Sequence, residues 1–210
     1  VPSTATARPT GTSTSGSGTT AAAPTTTPPT AAPSSGSSTA AAAGSCRADI
    51  LGLATRSGGA TKIAAYGTAQ QTNYKSGFGL VADQPLVEVK TSGPTVVKRP
   101  DSSTYATDDV ALVFEVSVTL KDTGSSIKPR VGFTDFALRD PQGNACSRDS
   151  TSGAVPSNDL LVSANLSAGQ ASTGGKLVYV VRGGGDYTKW TLLYSSNAIP
   201  GADADLGWRG

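Results

Sequence analysis

Residues 110–120 read Val-Ala-Leu-Val-Phe-Glu-Val-Ser-Val-Thr-Leu, and this stretch constrains the fold more than any other. Every even position is apolar (Val110, Leu112, Phe114, Val116, Val118, Leu120), while Glu115, Ser117 and Thr119 take odd positions. Strand side chains alternate between faces, so the pattern places six apolar side chains on one face. A helix would scatter them around its circumference. The stretch is also rich in β-branched residues, which fit a pleated, half-buried surface. Burying that face contributes on the order of 10 kcal/mol gross, before entropy costs. The expectation is a central strand of an all-β core.

Further strand signals recur at residues 86–90, 95–98, 133–139, 160–166, 177–181 and 190–194. Turn formers separate them: Ser92-Gly93-Pro94, Asp122-Thr123-Gly124, Asp140-Pro-Gln-Gly143, Ala168-Gly169 and the Gly183 to Asp186 run. No segment sustains a 3.6-residue period. Short strands at this spacing describe an antiparallel sandwich or barrel. Residues 46–79 carry only short apolar clusters between Gly and Ser. They fit either one or two edge strands or an arm that adds to another molecule's sheet edge.

The first 45 residues are of another kind. They hold 12 Thr, 9 Ser, 11 Ala, 6 Pro and 5 Gly, and only Val1 and Arg8 fall outside that set. Nothing large is available to bury, so the segment cannot offset its own ordering entropy. Its prolines favour extended chain. Thr and Ser with Pro are typical of O-glycosylated stalks. The candidate acceptors are Thr10, Thr12, Thr19, Thr20, Thr25, Thr26, Thr27, Thr30, Ser34 and Ser35. The alternative is a bare flexible linker. The resulting organisation is a low-complexity stalk at 1–45, a connector or edge strands at 46–79, and a β-sandwich at 80–210.

Beyond the stalk the chain carries 16 Lys+Arg against 15 Asp+Glu, interspersed. That balance argues against nucleic acid, which needs a basic excess. No stretch approaches 18 consecutive apolar residues, so no membrane span is expected. Cys46 and Cys146 are the two cysteines. Beside a Thr/Ser/Pro-rich arm, a lone pair reads as a disulfide in an exported protein. Two unrelated buried thiols are the alternative, because pairing cannot be deduced from sequence. The residues before Cys46 superficially resemble a lipoprotein cleavage box but lack the charged and apolar regions that such a signal needs. The expected location is extracellular or cell-surface, with the chain a mature form left by signal-peptide removal.

The succession Val116-Ser-Val-Thr-Leu-Lys-Asp-Thr-Gly124, Phe133-Thr-Asp-Phe-Ala-Leu-Arg-Asp-Pro-Gln-Gly143, Leu166-Ser-Ala-Gly169 and Gly174-Gly-Lys-Leu-Val-Tyr-Val180 resembles a known family. It is similar to secreted immunoglobulin-like domains of actinobacteria, the mycobacterial immunoprotective extracellular antigen and its uncharacterised relatives. The resemblance covers residues 80–195. It implies an antiparallel immunoglobulin-like β-sandwich, export and no known enzymatic activity. The Cys, Trp, Cys order of antibody domains is absent, since Trp190 and Trp208 both follow Cys146.

The remaining motifs point to little chemistry. Asp122-Thr123-Gly124 matches the catalytic triplet of aspartic proteases, which needs two carboxylates across a dimer axis. One copy is present, preceded by Lys121 rather than an apolar residue, and the competing reading is a hairpin turn. With no histidine, a serine–histidine–carboxylate triad and histidine ligation are excluded. Asp108-Asp109 points to opposite faces and reads as a solvated strand entry. Asp203-Ala-Asp205 lacks the rest of a calcium loop. Asn165-Leu166-Ser167 is a formal N-glycosylation sequon. Of the aromatics Tyr105, Tyr187, Trp190 and Trp208, which could stack on sugars, alternation assigns Trp190, with Tyr194, to the core and leaves Trp208 free. No cofactor, metal or catalytic residue is expected. The expectation is a non-catalytic structural subunit of a surface assembly or filament, its arm carrying glycans and its partners further copies or other surface proteins. A monomeric binding module for a glycan or protein is the runner-up, and an aspartic-protease dimer the third reading.

Overall fold

The 110–120 alternation becomes the longest strand among the described residues. The computed structural model describes residues 44, 46, 59–75, 84–98, 107–146, 148–150, 152–167, 170, 172–196 and 203–210. Their strands are β1 (Ile63–Ala65), β2 (Gln70–Asn73), β3 (Leu86–Thr91), β4 (Thr95–Lys98), β5 (Asp109–Leu120), β6 (Arg130–Val131), β7 (Phe136–Arg139), β8 (Ala145–Cys146), β9 (Ala164–Asn165), β10 (Ser172–Arg182), β11 (Thr191–Tyr194) and β12 (Leu206–Arg209). Three short 3-10 turns are the only helical elements among the described residues.

The strands form two five-stranded sheets and a small β6–β9 pair. One sheet runs β10-β5-β3-β2, with β4 also on β5; the other runs β1-β12-β11-β7-β8. All pairings between these strands are antiparallel except β1 with β12. Leu112, Phe114, Val116, Val118 and Leu120 of β5 meet Leu138, Leu192 and Trp208 of the other sheet in one buried core. Thus the even face of β5 points inward, as its alternation requires. The odd face is partly covered too: Ala111 and Val113 join Val178 and Val180 in a second cluster, against Val97, Ala154, Val155 and Leu160.

Several local expectations are revised. Ser92-Gly93-Pro94 does not reverse the chain. Both β3 and β4 lie along the same side of β5, with Thr91 opposite Val116 and Thr95 opposite Val113. Three residues therefore face two, which is a bulge within one long strand. Pro94 is tolerated because bulged residues leave the ladder. The Ser92 hydroxyl accepts the Glu115 N–H at 2.9 Å, replacing a lost ladder carbonyl. Residues 133–135 form a 3-10 turn before β7. Within 160–166 only Ala164–Asn165 is a strand, preceded by a 3-10 turn at Ser157–Asp159. Asp122-Thr123-Gly124 is no hairpin: the next strand, β6, pairs with β9, and β7 lies in the other sheet.

Both flanks of the stack are tied. On one, Cys46 bridges Val181 of β10 and forms a disulfide with Cys146 of β8, Cα–Cα 5.0 Å, so one residue joins the edges of the two sheets. On the other, the chain passes from β1 in one sheet to β2 in the other. There Trp208 Nε1 donates to Thr68 O at 2.7 Å and Gln70 Nε2 to Gly207 O at 2.7 Å.

Candidate functional site

The geometry separates the motifs found by sequence from the features that face solvent in an unusual way. Asp122 Oδ1 accepts the Gly124 N–H at 3.2 Å in an exposed Asx turn, which is what Asp and Gly provide at such a position. Asp108 is exposed as expected, but Asp109 is fully buried, and both accept from Arg182 Nη1, at 3.0 and 3.1 Å. Asp203 and Asp205 serve different partners. Asp203 Oδ1 accepts the Gly59 N–H, whereas Asp205 accepts the Ser196 N–H and hydroxyl and pairs with Lys75 at 2.6 Å. No cluster of three potential metal ligands occurs among the described residues.

Trp208 is not free. It is wholly buried in β12, a central strand of its sheet, with its indole N–H donated to Thr68. Trp190 and Tyr194 are core, and Tyr187 is half-buried, its ring edge against Trp190 and its hydroxyl on Arg182 O. Tyr105 lies outside the described residues. The aromatics therefore build no stacking platform among the described residues. Burial pushes the Tyr66, Tyr187 and Tyr194 hydroxyls above the ordinary range, so they remain protonated, and Tyr66 and Tyr187 donate to Trp190 O and Arg182 O. Asn165 is exposed on β9. The arm acceptors between residues 10 and 35 lie outside the described residues.

Two surface features remain. The first is a set of open strand edges; β2 and β8 also end their sheets, but those of β4 and β1 stand out. β4 pairs only with β5, and β1 only with β12, so each has a side with no strand beside it among the described residues. Each carries a large exposed apolar side chain: Val96 on β4 is 51% exposed and Ile63 on β1 is 52% exposed. Val96 pairs with Leu112 and so lies on the inward face, yet the opposite sheet does not cover it. β10, by contrast, is guarded along its outer side. Gly44 N–H donates to Gly183 O, Asp149 N–H to Val178 O and Leu161 N–H to Lys176 O.

The second feature is a hollow of about 280 Å³ on the outer face of the β1-β12-β11-β7 sheet, with Arg139, Lys189 and Arg209 around it. Arg139 is held by the Asp140–Gly143 turn, where its Nε donates to Gly143 O at 3.3 Å. Gly143 has φ +93°, and a Cβ there would sit 3.0 Å from Arg139 Nη2, so glycine serves both the turn and the guanidinium. The Asp140 carboxylate is turned inward, accepting from Asn144 N, Asn144 Nδ2 and Cys46 N. Sequence inspection missed this hollow. Its cations are scattered along the chain, and only the strand register brings them together.

No protein-family profile and no curated protein matches this sequence. Among solved structures, the yjhA protein of Bacillus subtilis is similar at 13% identity and TM-score 0.42, covering 66% of this chain and 86% of that one. The candidate lipoprotein ycdA of Bacillus subtilis subsp. subtilis strain 168 is similar at 18% identity and TM-score 0.38, covering 52% of this chain and 31% of that one. Neither likeness is close enough to carry an argument about function.

Proposed function

We propose that this chain is a non-catalytic extracellular structural subunit, an immunoglobulin-like β-sandwich that self-associates through its open flank and carries an O-glycosylated Thr/Ser/Pro-rich arm. The observation that supports this reading is the coincidence of two unpaired strand edges with two exposed apolar side chains, Val96 and Ile63. Unpaired edges are templates for strand addition. Both edges belong to the flank of the stack where β1 leads into β2, since β8 and β10 form the other. One self-complementary flank closes into a two-fold pair. A longer assembly then needs a second contact, which the arm supplies. The disulfide and the arm's composition support an extracellular location.

The test is light scattering and negative-stain imaging of the intact chain beside Val96→Lys and Ile63→Lys. Association of the parent and its loss in both variants are expected. A parent that stays monomeric at every concentration overturns the assembly reading. Intact mass tests the arm: a value above 20.9 kDa by multiples of a sugar residue is expected.

A monomeric binding module is the second reading, and the basic hollow is the observation that favours it.

A further inference from the structure

The hollow on the outer sheet face gathers Arg139 and Arg209 from separate strands, with Lys189 near them. Thr191 of β11 pairs with Arg139 of β7. Continuing the Leu192–Trp208 register by one residue sets Thr191 beside Arg209 of β12. Arg139, Thr191 and Arg209 thus form one row across three adjacent strands. With strands about 4.8 Å apart, the two arginines start about 10 Å from one another. Lys189, from the 3-10 turn before β11, stands at the rim, where it is paired with Asp186 at 3.3 Å.

The acids nearby do not neutralise this row. Asp140 is committed to Asn144 and the Cys46 N–H, Asp203 to the Gly59 N–H, and Asp186 to Lys189 at 3.3 Å and to Thr188. Arg209 has no acidic partner among the described residues, and Arg139 uses only Nε. Arg139 is also preorganised. Its guanidinium is pinned by Gly143 O, and Cβ atoms built on Gly59 and Gly143 would lie 3.6 and 3.0 Å from its two terminal nitrogens. A planar fork held in this way suits bidentate recognition of a carboxylate, and fixing it beforehand lowers the entropy lost on binding. Between the cations stand the Thr191 hydroxyl and the Gln142 carboxamide, which are partners for hydroxyls rather than for further charge.

We propose that this hollow binds a carboxylated polysaccharide, with carboxylates of the chain on Arg139 and Arg209 and ring hydroxyls on the neutral groups between them. An extended acidic peptide fits less well, because its same-face carboxylates recur at about 6.8 Å, short of the two-strand spacing. A neutral glycan is disfavoured by the lack of an aromatic among the lining residues. Ile63 borders the hollow as well as lying on the β1 edge, whereas Val96 does not, so the Val96→Lys chain is expected to bind as the parent does even if self-association is lost.

Calorimetry on the intact chain tests it, with a short oligogalacturonate, its methyl ester and poly-glutamate as probes. The oligogalacturonate is expected to bind, more weakly as salt rises. The methyl ester and poly-glutamate are each expected to bind at least tenfold more weakly. Arg209→Gln and Arg139→Gln are each expected to lose roughly tenfold, the size of one charge-assisted contact. Lys128→Gln, an exposed cation outside the hollow, is expected to change nothing. Arg209 is an exposed strand-end residue, so its variant stays informative should Arg139→Gln disturb the turn. Absence of oligogalacturonate binding, unchanged affinity in Arg209→Gln, or equal binding of poly-glutamate overturns the proposal.

Discussion

β10 and β4 flank the same strand, β5, and end in opposite ways. β10 and the Gly183 that follows it are covered by three separate segments whose N–H groups donate to outward carbonyls, and glycine sets how closely one of them approaches. A Cβ on Gly175 would stand 2.7 Å from Leu161 Cα and N, so the 160–161 segment lies directly on the β10 backbone. β4 has no such cover among the described residues; it is four residues long, carries exposed Val96 and ends on Lys98. The contrast teaches that this fold closes an edge with backbone donors from loops, and that where no loop comes among the described residues the strand edge stays open.

The largest expected effect comes from releasing the guard at its covalent anchor. Cys46→Ser with Cys146→Ser opens a loop of 100 residues and is expected to lose about 4–5 kcal/mol of stability from loop-closure entropy, measured by denaturant unfolding. Amides at the Arg182 end of β10 should then exchange faster than those near Lys176. Next, Gly175→Ala forces the 160–161 segment off the backbone and is expected to cost about 1–3 kcal/mol, typical of overpacking. A neutral result there would mean that the guard yields easily. Val96→Lys on the open side is expected to change monomer stability by no more than about 0.5 kcal/mol while removing association, which separates edge chemistry from folding.

The smallest effect concerns β2. The Gln71 side-chain donor, with Lys121 nearby, holds the Glu88 carboxyl below its ordinary range. A carboxyl depressed on folding stabilises above its unfolded pKa of about 4.3, and the benefit disappears as pH falls through the folded value. Gln71→Ala should move the Glu88 midpoint back up in an NMR titration, with little change in unfolding at neutral pH.

Much of the core was legible because every even position of β5 from Val110 to Leu120 is apolar, a period only a strand brings to one face. The bulge was not. Ser-Gly-Pro reads equally as a reversal or a bulge, and only the single partner strand spanning both halves decides between them. β12 was hidden by its shortness and by Gly207, whose Cβ would stand 2.8 Å from Ala60 Cβ; that glycine marks close packing rather than a loose tail. Leu160 to Leu166 alternates, yet Leu161 is spent guarding β10. The basic hollow left no trace in sequence, because Arg139, Lys189 and Arg209 become neighbours only through the pairing of β7, β11 and β12.

Joining Cys46 to Cys146 also sets how the molecule responds to tension. A pull entering from the arm reaches Cys46, crosses the sulfur bridge to Cys146 and continues toward Gly210, leaving the intervening loop, with β1 to β7, outside the covalent force path. That loop represents about 330–360 Å of extended chain. While the bridge is intact this length cannot be drawn out; once it is reduced, the same pull reaches β1 and can peel it from β12. The oxidised chain can thus be extended only through the residues outside the bridge, and reduction adds the 100-residue loop to what a pull can draw out.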